Sequence, residues 1–541
     1  MTGDVPNFEL IIIGGGINGV GIARDAAMRG IKTLLLEARD FGSGTSSWSS
    51  RLIHGGLRYL EYGELPLVYE SLHERRNLRV IAAHLVRPLR ITIPVYKGSK
   101  RGRMLIRLGL TAYDILSLGK KLPRHNMLSR DELIEAEPGM SSEGLRGGAQ
   151  YFDAQVTFAE RLVIENVIAA AEAGAIVRNY SPVTEIRFGA DGRHIVHYQE
   201  AGTDDEAVVS APVIVNAAGP WVDHVLQLAD QKSRRLMGGT KGSHIIVGRF
   251  SGSPKDAVYV EAHADGRPIF IIPWNQQYLI GTTDIRVDAD PADVRASDEE
   301  IAYLVDETNR VFPQANLNPN SIHFAYAGVR PLPYRKKGPE SAITRKHIIK
   351  KHRGRARGLI SIIGGKLTTY RNLAEQTVNK VQKLTGGHRS PCRTSSMLLP
   401  GAIDFESAEQ FLAKIDALSA EGRRRIANIY GGRVRRLQEL VDLQPNLGLT
   451  LDQENTVLAA EIALAVRDEF ALHLSDIVHR RLMIGLSADL GAHITLSVAA
   501  AAATELGWSS EEAERQLSEL NAHNARLRRT EKSQGSSQSN Q

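Results

Sequence analysis

The sequence predicts an α/β fold: a Rossmann-like domain interleaved with a mostly antiparallel β-sheet domain, plus a C-terminal α-helical domain. Three observations carry this. A glycine-rich turn near the N-terminus stands between an apolar strand and an alanine-rich helix. Short β-rich runs cluster between residues 244 and 281. From about residue 403 to 527 apolar residues fall at helical spacing, as at Val457, Ile462, Leu464 and Val466. At 541 residues the chain exceeds the size at which one core stops growing, so several domains are expected.

Residues 8–13 (FELIII) read as a buried parallel strand. Residues 14–19 (GGGING) match G-x-G-x-x-G, and a helix pattern follows to about Arg29, capped by Gly30. A second strand, residues 32–36 (KTLLL), ends in Glu37. Gly14 permits the tight turn, Gly16 admits a pyrophosphate, and Gly19 lets helix and strand pack closely. Asn18 lies within the same turn. The helix start supplies N–H groups and positive dipole for phosphates. Glu37 can accept from ribose hydroxyls and disfavours a 2′-phosphate, which argues against NADP. The loop DFGSGTSSWSS (residues 40–50), with Thr45, Ser46 and Ser47, offers further donors and leads to Arg51 and Leu52.

The first domain resumes with a helix over residues 158–173, closed by Gly174, and a strand over 175–177. Residues 213–215 (VIV) form another buried strand before Asn216-Ala-Ala-Gly219, a turn near the cofactor, as is Val183. In the second domain residues 244–247, 257–260, 269–272 and 278–281 are strands, with 274–277 (WNQQ) a hairpin loop. Residues 358–369, which include Gly365, Lys366, Leu367 and Thr368, return as strand, glycine turn and helix start, a pattern that can aim helix N-terminal N–H groups at a bound cofactor. The expected boundaries are 1–84, 149–231 and 341–395 for the cofactor domain, 85–148 and 232–340 for the substrate domain, and 396–529 for the helical domain. Residues 530–541 are polar and low in complexity, and read as a disordered tail.

Bulk properties exclude some functions. A net charge of +6 is too small for this length to argue for nucleic acid, but suits an anionic small substrate or membrane surface. The single cysteine, Cys392, rules out an intrachain disulfide and a cysteine-based metal site, and no metal is expected. No apolar run is long enough to span a bilayer. Few residues precede the first strand, which leaves no room for a leader. The expected location is the cytoplasm, with peripheral contact at the inner face of the cytoplasmic membrane.

Several longer blocks carry a resemblance. GGGINGVGIARDAA, LLLEARDFGSGTSS, SSRLIHGGLRYLE, NAAGPWVD, KGSHIIV, IIPWNQQYLIGTTD, YAGVRPL and GGKLTTYR, spread over about residues 8–375, resemble the respiratory FAD-dependent glycerol-3-phosphate dehydrogenases. That family lies within the D-amino-acid-oxidase-like flavoproteins. Arg51 stands where the family more often has lysine. The EF-hand loops of mitochondrial relatives are missing, and no insertion of the kind found in peroxide-forming oxidases is evident between KGSHIIV and GGKLTTYR.

The resemblance implies FAD as cofactor, sn-glycerol 3-phosphate as substrate, and a membrane quinone (ubiquinone or menaquinone) as electron acceptor; it is compatible with a homodimer. It places the ionisable stretch RLIHGGLRYL (residues 51–60) beside the flavin. His54 is then the candidate base, since an imidazole accepts protons near neutrality. Arg330 is the second catalytic candidate. Arg58, Tyr59, Lys366, Thr283 and His244 are candidate substrate contacts, with guanidinium suited to phosphate. The basic-then-apolar run at residues 97–110 and the basic stretch at 346–357 are candidate membrane surfaces. Three other readings stay open: an oxidase using oxygen, an amino-acid or amine oxidase of the same fold, and a flavin-binding protein without turnover.

Overall fold

The computed structural model describes residues 5–119, 121–203, 205–229, 234–336, 343–386 and 390–528. The expected tail at 530–541 lies outside these residues.

One six-stranded sheet runs in the order Ile348–Lys351, Leu359–Ile363, Val213–Asn216, Leu10–Ile13, Thr33–Leu36, Ile176–Arg178. All its neighbours are parallel except the first pair. Both faces are covered, which explains the continuous apolar runs. Leu10 and Ile12 pack towards the helices Ile17–Met28, Ala159–Glu172 and Tyr370–Thr385. Ile11 and Ile13 pack the other way, onto a three-stranded sheet spanning Val183–Phe188, His194–Gln199 and Glu206–Ala211. The strand period of two thus decides which layer each side chain joins.

A ten-stranded sheet forms the second layer system. Its strands Thr240–Val247, Gln277–Gly281, Pro268–Trp274 and Ala257–Glu261 are antiparallel neighbours. Asn275 and Gln276 make the two-residue hairpin turn with φ of 48° and 61°, the left-handed values such a turn requires. Strand Leu145–Val156 pairs here with Val86–Tyr96 and with Leu52–Ile53. The 149–156 stretch, grouped by sequence with the cofactor domain, is therefore built into the larger sheet. The two sheets meet where Leu52–Ile53 leads into His54.

Past residue 400 the chain is helical, and it is bolted to the cofactor loop by buried ion pairs. Asp40, the first residue of that loop, accepts from Arg481 Nη1 and Nη2 at 2.8 Å each and from Arg480 Nε at 2.5 Å. Arg161 donates to both Glu469 oxygens at 2.6 and 3.0 Å.

Candidate active site

Sterics shape the glycine turn. Gly14 has φ of +108°, and a Cβ there would sit 2.7 Å from the Ala217 carbonyl oxygen. A Cβ on Gly19 would fall 1.8 Å from the Gly14 oxygen, so helix and strand meet at this residue. At Gly16 the nearest atom to an added Cβ is Ser46 Oγ at 3.4 Å, which leaves the backbone approachable. The N-cap residue is Gly16, which has no side chain to cap the helix. Ile17 N donates to Ser46 Oγ at 3.0 Å, and the other first-turn donors remain for a pyrophosphate.

Glu37 accepts from Gly15 N at 2.5 Å and Arg39 N at 2.9 Å, so it braces the turn it follows. Burial raises its carboxyl above the usual range. The loop hydroxyls are largely spoken for inside the protein: Thr45 donates to Val329 O at 2.7 Å and Ser47 to Gly42 O at 2.7 Å. Their backbone groups, rather than these hydroxyls, are what the loop can offer. Arg51 differs from its sequence reading in the same way. Its side chain is fully buried and bidentate to Glu160 at 2.7 and 2.8 Å, stacked 4.6 Å from Trp274. Only its backbone, at φ of 58°, can line a cofactor.

The two distant glycine turns come together. Asn18 Nδ2 donates to Gly364 O at 3.4 Å, and a Cβ on Gly365 would lie 2.9 Å from Asn18 Nδ2. Asn18 Oδ1 and Lys366 Nζ are buried without hydrogen-bond partners among the described residues. A buried orphan acceptor and a buried orphan ammonium, flanking an open glycine cradle, fit a polar dinucleotide with its own donors and acceptors. Thr368 Oγ1 accepts from His54 N at 3.2 Å, which joins this turn to the 51–60 stretch. Leu52 is buried in its short strand, Val183 begins the strand Val183–Phe188 of the three-stranded sheet, and Gly219 opens a 3₁₀ turn after strand Val213–Asn216.

Around Tyr59 the structure gathers cations. Lys366 Nζ stands 3.7 Å from the Tyr59 ring centre. Arg330 Nη1 donates to Asp284 Oδ1 at 3.0 Å, and Nη2 to Thr282 Oγ1 and Thr283 O, also at 3.0 Å. Arg345 Nη2 donates to Asp284 Oδ2 at 3.2 Å. Arg58 donates to Tyr62 at 3.1 Å. Two guanidiniums thus share one carboxylate, while Glu64 and Glu70 act on Lys366 from nearby without a hydrogen bond to it. Burial raises Tyr59, against the pull of Arg345, Arg330 and Arg58. Burial also pushes the Asp284 carboxyl up, but Arg330 and Arg345 outweigh it and hold it low. Burial lowers Lys366 to about 7 and His54 to about 4, so the imidazole is neutral at working pH and free to accept a proton. It is a weaker base than the sequence suggests.

Thr283 and His244 stand behind this wall. Thr283 Oγ1 donates to Glu300 at 2.6 Å and accepts from Ser243 N at 2.9 Å, so it is committed to structure. His244 is buried, stacked 4.9 Å from Tyr326 and bonded to Ser50 Oγ at 2.8 Å. Sequence reading missed Arg345 and the carboxylate role of Asp284. Asp284 lay in plain view at the end of GTTD; Arg345 had no signal beyond its position in a basic stretch.

Comparison with known proteins gives the family. Residues 9–371 match the family FAD dependent oxidoreductase, and residues 392–513 match the C-terminal domain of alpha-glycerophosphate oxidase. A Synechocystis glycerol-3-phosphate dehydrogenase is 44% identical over 94% of this chain and 95% of its own. An aerobic glycerol-3-phosphate dehydrogenase of Staphylococcus haemolyticus is 34% identical over 88% and 86%. The crystal structure of the Bacillus halodurans glycerol-3-phosphate dehydrogenase complexed with FAD superposes with a TM-score of 0.78 at 29% identity, covering 97% of this chain and 95% of that one. The chain belongs to the FAD-dependent oxidoreductases, in the glycerol-3-phosphate dehydrogenase family, and takes FAD as its cofactor.

Proposed function

We propose that this enzyme oxidises sn-glycerol 3-phosphate at C2 to dihydroxyacetone phosphate and passes the electrons to a membrane quinone. The carrying observation is the cation cluster of Arg330, Arg345, Arg58 and Lys366 around Tyr59, of which Lys366 also acts on His54. A phosphomonoester needs such a wall; an amino-acid substrate needs one clamp for a carboxylate and no surplus charge. A non-catalytic flavin binder needs none of it.

Oxidising a secondary alcohol removes a hydride from C2 and a proton from its hydroxyl; bound FAD supplies the hydride acceptor, and the chain must supply the rest. His54 takes the hydroxyl proton on its free imidazole nitrogen. The guanidiniums fix the phosphate, which sets the distance from C2 to the cofactor. Positive charge at Arg330 and Lys366 stabilises the alkoxide as the proton departs. Gly56, at φ of +77°, leaves room for the Tyr59 ring, which a Cβ there would meet at 2.1 Å.

A membrane surface is supported by helix Arg103–Leu116. Its inner side chains Ile106, Leu110 and Tyr113 are buried. Its outer ones are not: Met104 is 73% exposed, Leu105 54%, Leu108 61% and Ile115 60%. Tyr62, Leu65 and Leu118 add to the exposed apolar side chains, and Lys97, Lys100 and Arg107 bring positive charge nearby in sequence. This combination fits shallow insertion into an anionic leaflet. The basic 346–357 stretch carries less apolar surface and is the weaker candidate. Among the described residues no helix is long and apolar enough to cross a membrane.

The test has two arms. Under air, purified enzyme with sn-glycerol 3-phosphate is assayed for hydrogen peroxide and for reduction of a soluble quinone. Fast quinone reduction with little peroxide supports the dehydrogenase; stoichiometric peroxide favours the oxidase. Flotation with anionic liposomes, comparing wild type with Leu105→Glu/Leu108→Glu, tests the surface, and equal flotation would reject it.

A further inference from the structure

Behind His54 lies a buried ionic cluster that the chemistry above does not use. Asp153, on strand Leu145–Val156, is 0% exposed; Tyr113, on helix Arg103–Leu116, is 2% exposed; Arg75, on helix Leu65–Ile81, is 1% exposed. Arg75 Nη1 donates to Asp153 Oδ1 at 2.5 Å and to Phe152 O at 3.0 Å. The Tyr113 hydroxyl lies 2.7 and 2.8 Å from the two Asp153 oxygens. All of this converges on one backbone group: Gly55 N donates to Tyr113 Oη at 2.9 Å and to Asp153 Oδ1 at 3.2 Å.

The fit is tight. A Cβ on Gly55 would meet Tyr113 Oη at 2.4 Å and Leu72 Cδ2 at 2.6 Å, so residue 55 is a glycine because the cluster presses against it. On the other side of the same peptide pair, His54 N is held by Thr368 Oγ1. The turn carrying the imidazole is thus pinned by both of its amides, from separate elements. A buried ion pair adds little net stability over apolar packing of the same shape. What it does supply is direction: a carboxylate and a hydroxyl aimed at one N–H.

We propose that Asp153, Tyr113 and Arg75 are positioning residues that fix the His54–Gly55 turn for proton abstraction. The proposal rests on the reading of His54 as the base. Charge supports it independently. The groups facing His54 are Asp153 from the strand, Arg75 from its helix and Lys366 from the glycine turn. Burial, Lys366 and Arg75 depress the imidazole, and Asp153 alone raises it. Asp153 therefore aims the base and also keeps it from becoming weaker still. The Tyr113 O–H, donated to Asp153, damps that field.

These two roles give opposite signatures in two variants. The FAD-loaded enzyme is mixed anaerobically with sn-glycerol 3-phosphate, and the rate of flavin bleaching is followed against pH for wild type, Asp153→Asn and Tyr113→Phe. Asp153→Asn should slow bleaching about 10- to 100-fold, as expected for a misplaced base. It should also move the acid-side midpoint down by about one pH unit, as expected for loss of a nearby negative charge. Tyr113→Phe should slow bleaching less and move the midpoint up, because Asp153 loses a damping donor. Substrate affinity should change less than the rate in both. Unchanged rates and midpoints in loaded variants would overturn the proposal, as would equal slowing with no midpoint shift, the mark of a merely structural role. If Asp153→Asn leaves Arg75 unpaired and fails to load FAD, Tyr113→Phe, which keeps the Asp153–Arg75 pair, decides alone. Wild type that is not bleached would remove the parent reading and this proposal with it, while bleaching in wild type with indifferent variants removes only the proposal.

Discussion

Lys366→Met should make the FAD-stripped protein more stable while destroying activity. Lys366 Nζ is buried, has no hydrogen-bond partner among the described residues, and lies over the Tyr59 ring. Burial lowers its pKa from 10.5 to about 7. In the unfolded chain the ammonium is charged at every pH below about 10.5. Folding must then either bury that charge or remove its proton. A shift of 3.5 units corresponds to about 5 kcal/mol of destabilisation, reached in full below about pH 7 and vanishing above about pH 10.5. Water entering the stripped cavity screens part of this, so a gain of about 2 kcal/mol on removing the charge is the expected scale. Methionine keeps the apolar stem and has no charge to bury. Urea unfolding of both stripped proteins, at about pH 6.5 and about pH 10, measures it: the variant should be more stable at the lower pH, and the difference should shrink at the higher. The FAD-loaded variant should lose at least about 100-fold in kcat/KM, since a preorganised cation is removed. A variant that is less stable than wild type at both pH values, or whose gain ignores pH, would refute the reasoning.

The remaining predictions concern base, cradle and clamp. His54→Ala should keep bound FAD and lose about 10²- to 10⁴-fold in turnover, read from flavin content and steady-state rates; with the imidazole at about 4, wild-type bleaching should fall only as pH drops towards that value, rather than near 6.5. Gly19→Ala should abolish FAD retention on gel filtration, because its Cβ would overlap the Gly14 oxygen at 1.8 Å. Asp40→Asn should cost about 3–5 kcal/mol in urea unfolding near neutral pH, since Arg480 and Arg481 lose their shared carboxylate. Burial pushes the Asp40 carboxyl up, but Arg481 and Arg480 hold it at about 2, below its unfolded 3.8. Its contribution is present above about pH 3.8 and is lost as pH falls through about 2, so the wild-type advantage should fade there.

The dinucleotide half was legible because its signals are local. Strand FELIII, the three glycines and Glu37 obey short-range rules, and the strands and helix form at these positions. The hairpin at 274–277 was legible for the same reason. What the sequence hid is long-range. Arg51 reads as a cation beside a cofactor loop, yet Glu160, 109 residues away, claims it. Asp284 lies past the strand predicted over residues 278–281, and only folding shows it shared between Arg330 and Arg345. Strand Leu145–Val156 follows no local cue about which sheet it joins, and it pairs with Val86–Tyr96 across some sixty residues. The Asp153 cluster draws on three elements whose sequences are unremarkable taken singly. The sequence offers His54 as a candidate, but its lowered pKa is a property of what surrounds it.

The central claim is that this flavoprotein oxidises glycerol 3-phosphate through the cation-lined wall at residues 54–59, 330, 345 and 366. Its most direct test is the visible spectrum of the purified, FAD-loaded protein without oxygen, before and after sn-glycerol 3-phosphate. Bleaching by this compound, and not by glycerol or amino acids, is the predicted result. A flavin that stays oxidised with glycerol phosphate, or that bleaches with an amino acid instead, would contradict the account.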